Sequence, residues 1–147
     1  MEKLTIIQQI RSFNRFYTSK LGILNTRFLG SDYSLTEGRI LFEIDRGNPI
    51  ARDLTKILAI DEGYLSRIIA KLEKKSLISR KASPQDRRKM YLHLTAQGTK
   101  TLNELNERSD HQIETLLASL RPDEKEKLFK ATITIKDILD RTRQTGY

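Results

Sequence analysis

Apolar residues along this chain first recur with a helical period, switch briefly to a strand period, and then return to the helical one. Ile6, Ile10, Phe13, Tyr17, Leu21, Leu24 and Phe28 fall at steps of three and four, which puts them on one stripe of an α-helix. The spacing predicts a long first helix, broken by Gly30-Ser31-Asp32-Tyr33. Ser34-Leu35-Thr36-Glu37 then matches a capping box, in which a hydroxyl and a carboxylate satisfy the free N–H groups at a helix start. A second helix is expected from there to about Ile44. Gly47-Asn48-Pro49 predicts a turn, and Ala51, Leu54, Ile57 and Leu58 give the apolar face of a short third helix. Asp61 is placed to cap a fourth, with Leu65, Ile68, Ile69 and Leu72 inward and Ser66, Arg67, Ala70, Lys71 and Lys74 outward.

Beyond Lys75 the period becomes two. Residues 77–82 and 90–94 read as strands around a polar turn containing Pro84. Thr95 can cap a fifth helix carrying Leu102, Leu105, Ile113, Leu116 and Leu120, and Arg121-Pro122-Asp123 opens a sixth with Leu128, Ala131, Ile135, Ile138 and Leu139. The expected fold is mainly α, six helices with one small β-hairpin. Third and fourth helices joined by the tight Ala59-Ile60-Asp61 link make a helix-turn-helix, and the hairpin after it makes a wing.

Charge sharpens this picture. Basic and acidic residues number six and five over residues 1–45, thirteen and five over 46–100, and eight and nine over 101–147. The whole formal charge of +8 therefore lies in the helix-turn-helix and hairpin, a distribution that attracts polyanions rather than merely aiding solubility. A recognition helix needs small, polar and cationic residues on the side that enters the major groove. Gly63, Tyr64, Ser66, Arg67 and Lys71 supply them, with Arg67 suited to a bidentate bond to guanine. Arg52 and Lys56 on the third helix are placed for backbone phosphate. In the hairpin turn, Arg87, Arg88 and Lys89 suit phosphates or a narrow minor groove. Asp86 beside them would repel phosphate, so an ion pair that fixes the loop is expected of it.

Other chemistries find little footing. With no cysteine, disulfides, thiolate metal sites and thiol redox sensing are excluded. His93 and His111 lack partners at metal-ligand spacing, so no metal or cofactor is expected. No nucleophile elbow, phosphate-binding glycine loop or paired acid and base stands out, and the chain does not read as an enzyme. Apolar runs are too short for a bilayer and the N-terminus has no signal-peptide pattern, which predicts a cytoplasmic protein. At 147 residues a single domain is expected.

The motif Asp86-x-Arg88-x-x-x-Leu92-x-Leu94-Thr95-x-x-Gly98, after a helix-turn-helix and between long terminal helices, resembles the multiple-antibiotic-resistance regulator (MarR) family over nearly the whole chain. The resemblance implies a winged-helix homodimer. Residues 34–95 would bind DNA, and residues 1–30 and 96–147 would dimerise. It further implies a palindromic duplex operator, repression, and release by a small, often phenolic, effector. Phe13-Asn14-Arg15-Phe16-Tyr17, with Ser34-Leu35-Thr36-Glu37 and Asp61-Glu62-Gly63-Tyr64-Leu65-Ser66-Arg67, is similar to the regulator halves of MarR–acetyltransferase fusions, although no acetyltransferase half is in these residues. One departure is Ser76, where the family commonly has Gly in a left-handed conformation that costs a residue with Cβ roughly 1 kcal/mol.

Blander readings compete with these. A run such as Lys71, Lys74 and Lys75 is often only a solvated face, and its clustering with the hairpin is what favours nucleic acid. The first-helix stripe reads as a packing or dimer seam before an effector pocket, with Phe13, Phe16 and Tyr17 as the residues that would border one. Two rival functions stand beside a DNA-binding regulator: a winged helix that binds an acidic protein, and a regulatory partner of an acetyltransferase.

Overall fold

A computed structural model describes residues 3–22 and 27–142, in two compact units, Met1–Ser109 and Asp110–Tyr147. In the first unit α1 spans Lys3–Lys20, shorter than its apolar stripe predicted. Leu21 and Gly22 form a turn, with Gly22 at φ +62°, and Phe28 opens a separate short 3-10 turn, Phe28–Gly30. Leu24 lies outside the described residues. A periodic stripe cannot reveal such a break, because Gly22 ends the helix by taking a left-handed conformation without interrupting the apolar spacing.

The capping box forms as expected. The Ser34 hydroxyl accepts the Glu37 N–H at 3.1 Å and Glu37 Oε2 accepts the Ser34 N–H at 3.1 Å, starting α2 over Leu35–Gly47. Asn48, left-handed at φ 44°, closes α2 and leads into α3, Ala51–Leu58. Leu54 is buried there and Ala51 and Leu58 partly so, but Ile57 is exposed. At 3.6 residues per turn Ile57 falls roughly a quarter turn off the stripe of the other three. Ala59 takes the left-handed conformation, φ 51°, and α4 follows over Glu62–Lys74 with the Asp61 carboxylate accepting the Tyr64 N–H at 2.9 Å.

α4 ends in a Schellman motif: the Leu77 N–H donates to the Leu72 carbonyl at 3.0 Å and the Ser76 N–H to the Glu73 carbonyl at 2.9 Å. Ser76 is left-handed at φ 59°, as expected. Strands β1, Ile78–Ala82, and β2, Met90–Leu94, pair antiparallel from Ile78 with Leu94 to Ala82 with Met90. Ile50 adds a single bridge to Tyr91, supported by the Leu92 N–H on the Pro49 carbonyl at 2.9 Å, so the turn-proximal half of β2 is tied to the start of α3.

Helix α5 spans Ala96–Leu117. Thr95 Oγ1 accepts the Gly98 N–H at 3.0 Å and donates to the Ser76 carbonyl at 2.6 Å. Buried Leu102 and Leu105 join Ile40, Leu41, Ile44, Leu54, Leu65, Ile69, Leu72, Leu77 and Leu92 in one core, so the first turns of α5 are part of the winged-helix core. In the second unit, α6 runs over Pro122–Thr142, opened by the Arg121 N–H on Glu124 Oε2 at 2.9 Å. No residue of α1 or α6 is buried, and Ile6, Ile10, Phe13, Phe16, Leu128, Phe129, Ile138 and Leu139 are all exposed.

Candidate nucleic-acid interface

The recognition helix is held by its back. Leu65, Ile68, Ile69 and Leu72 are buried, and the alternation with exposed Gly63, Tyr64, Ser66, Arg67 and Ala70 is the 3.6-residue period expressed as burial. The Arg67 guanidinium lies 5.9 Å from the centre of the Tyr64 ring, a cation–π distance that pre-orders both side chains on the exposed side. Gly63 faces the cap: a Cβ there would meet Asp61 Oδ2 at 3.2 Å. Arg52 and Lys56 are exposed on α3.

Local hydrogen bonds shape the wing turn. Buried Ser83 closes it through its N–H on the Lys89 carbonyl at 2.9 Å, while its hydroxyl accepts the N–H groups of Gln85 at 3.3 Å and Asp86 at 3.4 Å. Among the described residues Asp86 does not form the ion pair expected of it. Its Oδ1 accepts the Arg88 N–H at 3.0 Å, and its carbonyl accepts the Lys89 N–H at 3.0 Å. An Asp side chain two residues ahead of an N–H closes a short ring that mimics a backbone turn, so the carboxylate fixes the loop through the backbone. The side chains of Arg87, Arg88 and Lys89 are exposed and, among the described residues, enter no ion pair.

This geometry can be set beside known proteins. The MarR family model matches residues 33–90, the segment from the α2 cap to the start of β2. Residues 33–90 have a winged-helix fold and are similar to the MarR family. The chain is 33% identical over 78 residues to the HTH-type transcriptional regulator BilQ of Clostridium symbiosum, a match covering 53% of this chain and 54% of BilQ. It spans about half the length of the curated relatives it matches. Among solved structures it is similar to the transcriptional regulator BldR from Sulfolobus solfataricus (TM-score 0.75, 22% identity, 96% of this chain and 99% of that one). It is also similar to Streptococcus pneumoniae FabT in complex with DNA (TM-score 0.70, 22% identity, 96% and 99% covered).

Within this winged helix, folding gives two cations acidic partners that reading along the chain does not reveal. Lys71, read as an outward-facing contact, places its ammonium 2.5 Å from Glu37 Oε1. The hydrogen bond and the negative charge of Glu37 raise the Lys71 pKa above the ordinary lysine value, so it stays a cation but one already neutralised by its neighbour. Arg80 Nη2 lies 2.7 Å from Glu73 Oε1 and its Nε donates to the same oxygen at 2.8 Å, clamping β1 to the end of α4. Lys75 sits 4.8 Å from the centre of the Tyr33 ring.

Phe13 and Tyr17 stack on the exposed side of α1, ring centres 5.5 Å apart, and the Lys20 ammonium lies 5.8 Å from the Phe16 ring. Among the described residues no cluster of three or more His, Asp or Glu is placed to hold a metal ion, and no helix is long and apolar enough to cross a membrane.

Proposed function

We propose that the chain is a sequence-specific, duplex-DNA-binding transcriptional regulator acting as a homodimer on an imperfect palindrome, repressing until a small aromatic or phenolic effector releases it. The observation that carries the DNA reading is the wing: three consecutive exposed cations with no acidic partner among the described residues, beside an aspartate that accepts from the backbone. Tyr64, Ser66 and Arg67 on α4 are the proposed base-reading side chains, with Gly63 permitting close approach. Arg87, Arg88 and Lys89, with Arg52, are the proposed phosphate or minor-groove contacts. FabT, a protein of similar fold, is bound to DNA in its crystal structure.

Dimerisation is supported by the uncovered apolar faces of α1 and α6, since contiguous exposed apolar surface on a folded chain calls for a partner. Two recognition helices roughly 34 Å apart would then address successive major grooves, giving a site of about 15–25 base pairs. Sequencing the genomic fragments retained by the purified protein tests the whole proposal, and a palindromic consensus is the expected result. Absence of any sequence-selective shift at physiological salt would favour a protein-binding winged helix. The effector half of the proposal rests on the family resemblance, with Phe13, Phe16 and Tyr17 as the residues to substitute. Alternatively the chain targets an acetyltransferase to DNA, a role that requires stable co-purification with that enzyme.

A further inference from the structure

We infer that Glu37 and Lys71 form a positioning pair that sets the rotation of the recognition helix, and that Lys71 is therefore not a phosphate contact; this rests on the proposed DNA-binding function. Glu37 is only 4% exposed, and both of its oxygens are committed. One accepts the Ser34 N–H of the capping box at 3.1 Å and the other holds the Lys71 ammonium at 2.5 Å. A buried carboxylate left without a partner is costly, so this acid holds the cation strongly. Glu37 stands in the first turn of α2 and Lys71 in the last part of α4, so one ion pair ties the recognition helix to a rigid helix start.

Lys71 follows Arg67 by four residues and Tyr64 by seven, the spacing that puts all three on one side of α4. Anchoring Lys71 therefore fixes where Tyr64 and Arg67 point. A guanidinium that reads two acceptors of a guanine must bring both hydrogen bonds to about 2.7–3.2 Å at once, and a small roll of the helix spoils one of them. A lysine paired with a buried carboxylate adds little net charge outward, so it releases no counterion of its own.

The variants Glu37→Gln, Lys71→Met and the double substitution separate these roles. Gln still completes a capping box, so E37Q removes the ion pair while keeping the start of α2, and Met keeps the apolar stem of Lys71. Affinity is measured on cognate and random duplex across a range of salt concentrations, the ratio of the two cancelling any change in overall charge. Each single variant is expected to lose discrimination by about tenfold, the value of one bidentate base contact. The double variant should lose no more than either single, and the salt slope of K71M should equal that of the wild type. A K71M slope shallower by about one, or an unchanged ratio in both single variants, overturns the pair. If the wild-type protein prefers no duplex, the regulator proposal fails and this inference fails with it. A selective wild type with unaffected variants removes the pair alone.

Discussion

Replacing Gly98 with Ala adds one methyl group where the chain has no room for it. The new Cβ would stand 1.9 Å from the Leu77 carbonyl oxygen and 2.9 Å from its carbon, both backbone atoms. To reach ordinary contact, the start of α5 and the β1 entry must part by about 1.5 Å, strain of the kind that costs roughly 1–3 kcal/mol. What parts is a set of hydrogen bonds: Thr95 N–H to the Leu77 carbonyl at 3.0 Å, Thr95 Oγ1 to the Ser76 carbonyl at 2.6 Å, and the Gly98 N–H to Thr95 Oγ1 at 3.0 Å. Losing the cap and one further bond adds about 1 kcal/mol each. The better helix propensity of Ala returns about 1 kcal/mol, leaving a net destabilisation of about 3 kcal/mol. Gly47→Ala is the control, because a Cβ there meets nothing within 4 Å, and a gain of about 0.5–1 kcal/mol is expected. Urea unfolding followed by circular dichroism, at equal protein concentration so that self-association contributes equally, gives both values. A G98A protein within about 1 kcal/mol of wild type would refute the close packing of α5 on Leu77 and the magnitudes built on it.

Other perturbations probe the wing and the recognition helix. Ser76→Gly relieves the left-handed residue at the end of α4 while retaining its backbone hydrogen bonds, and should stabilise by about 0.5–1 kcal/mol in the same unfolding assay; a loss would contradict the Schellman geometry. Asp86→Ala separates charge from structure. Removing a negative charge from the proposed DNA-contacting loop would tighten binding on electrostatic grounds alone, whereas losing the bond to the Arg88 N–H should loosen the turn and weaken it, and Asp86→Asn, which keeps an acceptor, should bind at least as well as wild type. Arg87→Ala and Arg88→Ala should each weaken binding to all duplexes with a salt slope shallower by about one, and an unchanged slope would take the wing out of the interface. Arg67→Ala should cost roughly 1–3 kcal/mol on the cognate site and relax one base pair. Equal losses on random duplex would remove its base-reading role.

Reading along the chain served best where structure is local. The Ser34–Glu37 box, the Asp61 and Thr95 caps, and Pro122 at the start of α6 are all contacts within four residues, so residue type and spacing decide them. The same reading correctly separated the buried and exposed sides of α4. It went astray where one conformational choice or one distant atom decides. Gly22 ends α1 inside an unbroken apolar stripe, and Asp86 finds its partner in the backbone of Arg88 rather than in a cation. Lys71 read as an unpaired outward cation because its partner, Glu37, had to be brought to it by folding.

What sequence alone determined about this protein is the order of its helices and hairpin, the inward side of the recognition helix, and the placing of net positive charge on the winged segment. Each of these follows from periodicity and composition, quantities carried by near neighbours. Tertiary structure decided which cations remain available. Charges cancel through space, over a few ångströms, between residues that lie 34 positions apart for Glu37 and Lys71. No spacing rule spans that distance. The folded core, by setting α4 against the start of α2, pairs the half-exposed Lys71 with buried Glu37 and leaves Arg67, Arg87, Arg88 and Lys89 facing out.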